Sequence, residues 1–400
     1  MIKAQTHTVT VGLVLSTVPG YSETFFRNKI KGLQNAGFEV VLFVDYTQKT
    51  DVDFPCRIVA SPQFVGPRIN KVFTVLGVLF KALFLQPKRS FALYQLDKKD
   101  GIIFKNRFRN IILNQFLLGE TLDWLHFGYG KLAHGRENVA EAIGAKMAVS
   151  FRGFDLYLSP LKHPGCYDLL FKKEVRYHVL SHGMKQRLKD NLISDQKIHV
   201  ITPAINTAFF SHQKPIATMD DNVINIVTIA RLHWIKGLEY TLEALAKVKQ
   251  KQIKFKYTII GDGEEKERLV YATHELGIAE DVFFPGKLSH NKVKEILKTT
   301  SIYLQYSIQE GFCNAVLEAQ AMGLLCIVSD AEGLKENVLD TQTGWVVPKR
   351  QPEVLARKII EVSKMSKSEQ QEITTQAVSR VNKLFNLERQ NLLFREFYEC

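Results

Sequence analysis

Hydrophobic positions in the first half of the chain form short unbroken runs, separated by segments of helical periodicity. Val9–Leu15 is such a run, and a helix is predicted over Phe25–Asn35. Unbroken apolar runs are typical of parallel strands that are covered on both faces. Further strands are predicted at Glu39–Val44, Asp123–Phe127, Lys146–Phe151, Val175–Leu180 and Lys197–Ile201. Strands that alternate with helices in this way predict a doubly wound α/β domain.

The same pattern starts again after a polar stretch, 205–222, that has no periodicity. Strands are predicted at Val223–Ala230, Phe255–Ile260, Val282–Phe284, Ile302–Tyr306 and Leu325–Val328. Helices are predicted between them at Leu238–Gln250, Glu264–Leu276, Asn291–Lys298 and Asn314–Met322. We therefore predict an α/β protein with two Rossmann-like, doubly wound domains facing a cleft, residues 1–204 and 223–386, joined by a linker at 205–222.

The distribution of charge adds a possible partner to this picture. The 400 residues carry a net charge of +12; residues 1–200 hold 28 Lys and Arg against 16 Asp and Glu, whereas residues 201–400 hold 25 of each. Such an asymmetry points to an anionic partner of the first half, whether a membrane, a nucleic acid or an acidic acceptor. The five cysteines form no C-x-x-C pair, which argues against a zinc ribbon or disulfide framework and favours a cytoplasmic setting.

The most apolar segment, Val72–Leu85, has 14 residues and contains Lys81. A membrane-spanning helix needs about 20 apolar residues, so a transmembrane protein is not predicted. Basic residues flank or interrupt the segment, at Lys71, Lys81, Lys88 and Arg89. Two interpretations stay open: a helix that lies in the lipid interface, and a helix buried within its own domain.

The strongest chemical motif joins two carboxylates, Glu310 and Glu318, eight residues apart across a predicted strand–loop–helix junction. Gly311 lets a ligand approach the backbone closely. The helix begins near Asn314, so we expect the amides around Cys313–Val316 to be free donors for a phosphate. Glu318 could then accept from a ribose diol. The alternative is a helix with an acidic residue near its start and no ligand.

Two further loops follow predicted strands in the second half. Arg231 and Lys236 lie five residues apart before a helix, and a planar guanidinium with a point charge suits a diphosphate. Gly261-Asp-Gly263 ends the next strand but is not a dinucleotide fingerprint, because Lys266 stands where the third glycine belongs. That departure argues against a nicotinamide-dependent oxidoreductase.

Together these motifs resemble glycosyltransferase family 4, the retaining nucleotide-sugar transferases of GT-B fold. The segment EGFCNAVLEAQAMG is similar to the E-x7-E signature of that family, and the similarity runs almost continuously from Ile224 to Pro348. In the first half, VPGYSETF from Val18 and SFRGFD from Ser150 resemble the branch that builds exopolysaccharides of the colanic-acid type. In similar folds, the last helix, here 387–400, packs back on the first domain.

The resemblance implies roles on the donor side. Arg231 and Lys236 would hold the diphosphate, Glu310 would bind hydroxyls of the donor sugar, and Glu318 would bind the ribose. Donor contacts are also implied for the following residues: Gly311, Phe312, Cys313, Asn314, Ala315, Gly261, Gly263, Lys287 and Leu288. The donor would be a UDP- or GDP-sugar, and no metal or other cofactor is expected.

Fewer residues are implied in the first half. Arg152 stands where many family members have a histidine that touches the donor, and it keeps a positive charge but cannot act as a base. On the acceptor side we expect Ser22, Glu23, His126 and Asp155. The alternatives are a helix cap for Ser22 and Glu23 and a structural histidine for His126.

The sequence therefore favours a retaining, metal-independent glycosyltransferase of cell-surface polysaccharide biosynthesis. It would act on a lipid-diphosphate-linked or polysaccharide acceptor, in the cytoplasm or peripherally on the inner face of the cell membrane. The alternative is a non-enzymatic protein that binds nucleic acid or membrane through its basic half. No aromatic and basic recognition motif supports a nucleic-acid partner.

Overall fold

A computed structural model describes residues 8–20, 24–46, 54–211 and 223–399. The chain divides into two compact units. The first comprises the described residues of Met1–Val179, Lys185–Ile201 and Asn391–Cys400, and the second comprises those of Leu180–Met184 and Thr202–Gln390. Each unit is built on one parallel sheet, so the predicted α/β class with two Rossmann-like units is confirmed.

The first sheet has seven strands in the order β3-β2-β1-β4-β5-β6-β7. They are β1 Thr10–Thr17, β2 Glu39–Tyr46, β3 Arg57–Ala60, β4 Trp124–Phe127, β5 Lys146–Ser150, β6 Val175–Val179 and β7 Ile198–Val200. The central strands are buried on both faces, as their unbroken apolar runs predict. The order reverses between β1 and β4, and the carboxyl ends of the strands beside such a switch point are where ligands of doubly wound sheets bind.

Seven helices accompany these strands in the described part of this half. They are α1 Thr24–Asn35, α2 Arg68–Phe80, α3 Pro87–Lys99, α4 Phe104–Leu118, α5 Val139–Ile143, α6 Ser159–Lys162 and α7 His182–Lys189. One π-helical turn, Lys81–Leu85, continues α2. No single helix of the described residues is long and apolar enough to cross a membrane; residues 68–85 and 87–99 meet the length and composition criteria only as a pair, which bends by 101°.

The second sheet has six strands in the order β10-β9-β8-β11-β12-β13. They are β8 Val223–Ile229, β9 Lys254–Ile260, β10 Val282–Gly286, β11 Ile302–Gln305, β12 Leu325–Ser329 and β13 Trp345–Val347. The helices are α8 Leu238–Gln250, α9 Lys266–Glu275, α10 His290–Lys298, α11 Asn314–Ala321, α12 Leu334–Asn337, α13 Pro352–Ser363, α14 Lys367–Leu384 and α15 Leu387–Glu399. Here the switch point lies between β8 and β11.

The last helix, α15, ends in the first unit. Phe394, Phe397 and Tyr398 are buried in the hydrophobic core that β1 and β2 line. Trp124 on β4 donates its indole N–H to the carbonyl of Tyr398 at 3.1 Å. Of the linker predicted at 205–222, residues 212–222 lie outside the described residues, and Ile205 forms an isolated bridge with Asn386.

Candidate active site

The switch point of the second sheet brings two of the predicted loops together. One loop follows β8 and ends at Gly237; the other follows β11 and contains Glu310. Ile235 connects the two loops, because its carbonyl accepts hydrogen bonds from the amide of Ile308 at 2.8 Å and from that of Gln309 at 3.4 Å. Gly237 has a left-handed backbone, and a Cβ there would lie 2.3 Å from the carbonyl oxygen of Tyr306. The close approach of the two loops therefore requires glycine at this position.

Lys236 and Glu310 meet across these loops. Lys236 Nζ lies 2.5 Å from Glu310 Oε2, and the side chains are only 14% and 13% exposed. Burial acts against the charged lysine, but the nearby carboxylate outweighs it, so the pKa of Lys236 is raised. Arg231 is exposed at the start of the same loop, and its charge acts on Lys236. The structure thus gathers both predicted cations and one predicted carboxylate at the switch point.

A hydrogen-bonded chain behind Glu310 was not predicted from the sequence. Ser307 Oγ donates to Glu310 Oε2 at 3.2 Å, and Gln305 Nε2 donates to Ser307 Oγ at 2.9 Å. Tyr303 donates its hydroxyl to Gln305 Oε1 at 3.0 Å. The chain fixes the carboxylate from within the sheet. Gln305, a fully buried amide in an otherwise apolar strand, is the signal that could have revealed it.

Glu318 lies on α11 and is half-buried. Among the described residues, none donates a hydrogen bond to its carboxylate or forms an ion pair with it. Burial raises the pKa of Glu318 to about 8. Because buried carboxylates are normally hydrogen-bonded, this group is the best candidate in the second unit for accepting from hydroxyls of a ligand.

At the amino end of α11, one of the amides that we expected to be free is capped. Asn337 caps it from α12: its Oδ1 accepts the N–H of Cys313 at 3.0 Å, and its Nδ2 donates to the carbonyl of Cys313 at 3.0 Å. Burial raises the pKa of the Cys313 thiol to about 12, and the nearby amides of Ala315 and Val316 act in the opposite direction. One of the predicted phosphate donors, the amide of Cys313, is therefore directed at a protein atom. Asn314 and Ala315 themselves are half-buried.

The side chain of Phe312 does not belong to a ligand surface. It is buried, and its ring lies 5.6 Å from that of Phe385 in the core of the second unit. This side chain is turned inward before α11 begins. A donor contact through the backbone of Phe312 stays a prediction. Gly311 is also buried, and a Cβ at Gly333 would lie 2.0 Å from its carbonyl oxygen. The tight packing here is between two protein loops.

The glycines after β9 have a similar structural explanation. A Cβ at Gly261 would lie 1.8 Å from the carbonyl oxygen of Ala230, and one at Gly263 would lie 2.2 Å from that of Leu232. Both glycines thus allow this loop to pack against the loop after β8. Lys287, which is exposed, and Leu288, which is half-buried, follow β10 at the same edge of the sheet. Their role in reading a base stays a prediction.

In the first unit, Arg152 follows β5. Its guanidinium carbon lies 4.3 Å from the ring centre of Phe25 and 6.0 Å from that of Tyr129. Asp155 is 4% exposed and accepts the backbone N–H of Arg152 at 3.1 Å and of Lys131 at 3.3 Å. It therefore fixes the turn after β5 and does not line an acceptor surface, contrary to the prediction.

His126 is also not on the acceptor side, because it is fully buried. His178 Nε2 lies 3.0 Å from the carbonyl of Ile201, so this nitrogen carries the proton and Nδ1 accepts from Ser150 at 2.7 Å. Ser150 then accepts from His126 Nε2 at 2.7 Å, and His126 Nδ1 accepts the Tyr398 hydroxyl. The structural alternative for His126 holds. Ser22 and Glu23 lie outside the described residues.

Residues 210–378 match the sequence model of the glycosyl transferases group 1 family. The chain is 25% identical over 392 residues to the putative colanic acid biosynthesis glycosyltransferase WcaL of Escherichia coli strain K12, covering 94% of this chain and 96% of WcaL. It is 25% identical over 283 residues to the amylovoran biosynthesis glycosyltransferase AmsK of Erwinia amylovora, covering 69% and 68%.

The solved structure of Anabaena HepE in complex with UDP-glucose shares the fold. Its TM-score is 0.72 at 15% identity, with 98% of this chain and 99% of that chain covered. Its similarity extends over both units and shows the GT-B fold. No group of three His, Cys, Asp or Glu among residues 8–20, 24–46, 54–211 and 223–399 could hold a metal ion. Metal independence stays a prediction.

Proposed function

We propose that this chain is a retaining glycosyltransferase of family 4 type that acts in exopolysaccharide biosynthesis. It would transfer a sugar from a UDP- or GDP-sugar to a lipid-diphosphate-linked or polysaccharide acceptor. The observation that carries the proposal is the Lys236–Glu310 pair at the switch point of the second sheet, beside the exposed cation Arg231. The names of WcaL and AmsK support the polysaccharide, and UDP-glucose bound to HepE supports the donor class.

In this proposal the donor-binding residues have different roles according to their charge. Arg231 and Lys236 neutralise the diphosphate that leaves, and Glu310 keeps Lys236 charged while its second oxygen accepts from a sugar hydroxyl. Glu318 accepts from the ribose diol. Preorganised charges of this kind stabilise the departing phosphate without reorganising in the transition state, which can contribute several kcal/mol. No metal is needed in this scheme.

The step proceeds with retention of configuration. The bond between the anomeric carbon and the phosphate oxygen breaks, and the bond to the acceptor oxygen forms on the same face of the sugar. The proton of the acceptor hydroxyl passes to the departing phosphate oxygen. Arg152 cannot take that proton, because a guanidinium does not deprotonate in proteins; its role is electrostatic.

The charge of the first half supports the proposed location. An excess of twelve basic residues in residues 1–200 favours an anionic surface, and a lipid-diphosphate acceptor resides on one. We therefore place the protein in the cytoplasm, attached peripherally to the inner face of the cell membrane.

Thermal unfolding with UDP, GDP and ADP in EDTA tests the donor site. A ligand at about 100 times its Kd adds about 2.7 kcal/mol, or about 5–10 °C in Tm. We expect one nucleotide to give this shift, Glu318→Ala to weaken it, and Glu267→Ala, an exposed control on α9, to keep it. No shift with any nucleotide, together with a salt-sensitive gel shift of RNA or DNA, would favour the non-enzymatic nucleic-acid binder instead.

A further inference from the structure

The outward face of α2 and its π-helical turn is apolar. Its exposed side chains recur at intervals of three and four residues, which places them along one side of the helix. We call them the outer stripe; they are Ile69, Val72, Phe73, Leu76, Phe80, Leu83 and Phe84. Each is between 55% and 70% exposed. A surface helix of a soluble domain normally directs such a stripe at its core, so this helix has the reverse orientation.

The inward face of the same helix has few buried side chains. Val78 and Ala82 are its buried residues. The carbonyl of Ala82 accepts the hydroxyl of Ser90, the first buried residue of α3, at 2.7 Å. Val75 and Leu79 on the same helix are half-buried. Few side chains therefore attach the helix to the rest of the first unit, while the seven side chains of the outer stripe are exposed.

The charges beside the outer stripe are all positive. No Asp or Glu occurs between Asp53 and Asp97, a segment that contains six Lys and Arg residues. Five of these are exposed. Arg57 pairs with Glu120, and the other four are Arg68, Lys71, Lys81 and Lys88. Arg89 is the exception among the flanking cations, because it donates to the carbonyls of Leu118 and Glu120 at 2.9 and 2.8 Å.

We propose that the outer stripe and these four cations bind the surface of an anionic lipid bilayer, with the helix lying in the interface. Phe and Leu side chains would enter the headgroup and acyl boundary, and the lysine amines would reach back to the phosphates. A second copy of this chain fits poorly, because pairing the two stripes would bring like charges together. The proposal rests on the peripheral attachment proposed above and not on glycosyl transfer.

The position of the stripe suits a lipid-resident acceptor. Gln63, five residues before α2, donates its amide to the carbonyl of Asp45 at 2.6 Å. Asp45 lies near the carboxyl end of β2, the edge at which doubly wound sheets bind their ligands. The segment that leads from Gln63 to α2 therefore leaves the first sheet at the edge where such sheets bind their ligands.

Cosedimentation of the full chain with vesicles tests this proposal without donor or acceptor. We expect binding to phosphatidylglycerol–phosphatidylcholine vesicles, much weaker binding to phosphatidylcholine alone, and a decrease at high salt. Leu76→Gln with Phe84→Gln should lower partitioning by about a hundredfold, about tenfold for each side chain. Leu161→Gln with Leu192→Gln, which are also exposed but lie elsewhere on the first unit, should leave it unchanged.

A second set of variants, with its own control, tests the contribution of the cations. Each Lys near an anionic surface adds about fivefold to partitioning. Lys71→Glu, Lys81→Glu and Lys88→Glu together remove three positive charges and add three negative ones, so they should lower partitioning by at least about a hundredfold. The exposed Lys31, Lys162 and Lys172, changed to Glu, are the control. Circular dichroism and melting curves confirm folding of each variant, since all substitutions are on the surface.

Three outcomes would overturn the proposal. The first is equal binding to neutral and anionic vesicles, or none to either. The second is a wild-type dimer in sedimentation equilibrium that Leu76→Gln with Phe84→Gln converts to monomers. The third is RNA binding that the charge variants abolish and the stripe variants keep. A failure here leaves the nucleotide-induced shift in Tm untouched, so the two proposals fail separately.

Discussion

At the scale of single residues, the candidate site depends on a buried ion pair. Lys236 and Glu310 are each less than 15% exposed, so removing one partner leaves a buried charge without its counterion. We expect Lys236→Met to lower the free energy of unfolding by about 3 kcal/mol. The double variant Lys236→Met, Glu310→Leu should recover most of that loss. Urea unfolding of both single variants and the double variant measures the coupling; additive losses would show that the pair does not interact.

A second residue-scale prediction concerns pH. Burial raises the pKa of Glu318 to about 8, and hydroxyl donors of a bound ribose prefer the carboxylate. Ligand binding to the ionised form should therefore tighten as pH rises through about 8, with affinity falling up to tenfold per unit below it. Glu318→Gln should bind more weakly and lose this dependence. Calorimetric titration with the stabilising nucleotide from pH 6.5 to 9 provides the measurement, and a flat wild-type profile would contradict the assignment.

At the scale of elements, α15 packs on a buried group of basic side chains that are not protonated. His126 and His178 are fully buried or nearly so, and burial lowers the pKa of both well below the usual value. Lys29 Nζ lies 4.2 Å from the Phe394 ring of α15, which favours the ammonium, but burial and the charge of Arg152 outweigh this contact and lower the pKa of Lys29. The hydrogen-bonded chain from Ile201 to Tyr398 is complete only while both histidines are neutral.

This arrangement predicts how stability varies with pH. In the unfolded chain Lys29 takes up a proton below its usual pKa of about 10.5, whereas the folded form stays neutral until its lowered pKa is reached. Stability should therefore fall as pH decreases through this window, by up to about 1.4 kcal/mol per unit. Lys29→Met should flatten the profile as pH falls below about 10, and the exposed Lys31→Met on the same helix should not. Parallel profiles for wild type and Lys29→Met would show that Lys29 is charged when folded.

The elements themselves were largely predictable, because buried parallel strands have unbroken apolar runs that need no partner to be recognised. Residues 45–120 were less predictable. The apolar stripe of α2 has the same sequence pattern whether it faces the core or the solvent, so the sequence left the orientation of this helix open. At the site, Lys236 and Glu310 each follow a predicted strand of the second half, and this position indicated them as candidate site residues. Gln305, Asn337 and the inward side chain of Phe312 were missed, because burial and capping depend on which side of a loop faces the core, a property set by distant contacts.

At the scale of the whole molecule, the charge distribution separates two tasks. The excess of twelve positive charges lies in residues 1–200, while the residues proposed to hold the donor diphosphate lie in the neutral half. Surface binding and donor binding should therefore respond to different substitutions. Lys71→Glu, Lys81→Glu and Lys88→Glu together should leave nucleotide affinity unchanged, since none of them belongs to the second unit.

Turnover on vesicles would reveal this separation. With a synthetic lipid-diphosphate acceptor at fixed mole fraction in anionic vesicles, the rate should saturate with total lipid as the enzyme partitions to the surface. The triple variant should need at least about a hundredfold more lipid for half-saturation, since each lost cation alone accounts for about fivefold, and it should reach the same plateau. The Lys31, Lys162 and Lys172 control should match wild type. A lower plateau at unchanged half-saturation would mean that these lysines act on the acceptor itself and not through the membrane, because partitioning changes how much enzyme is bound and not how fast the bound enzyme works.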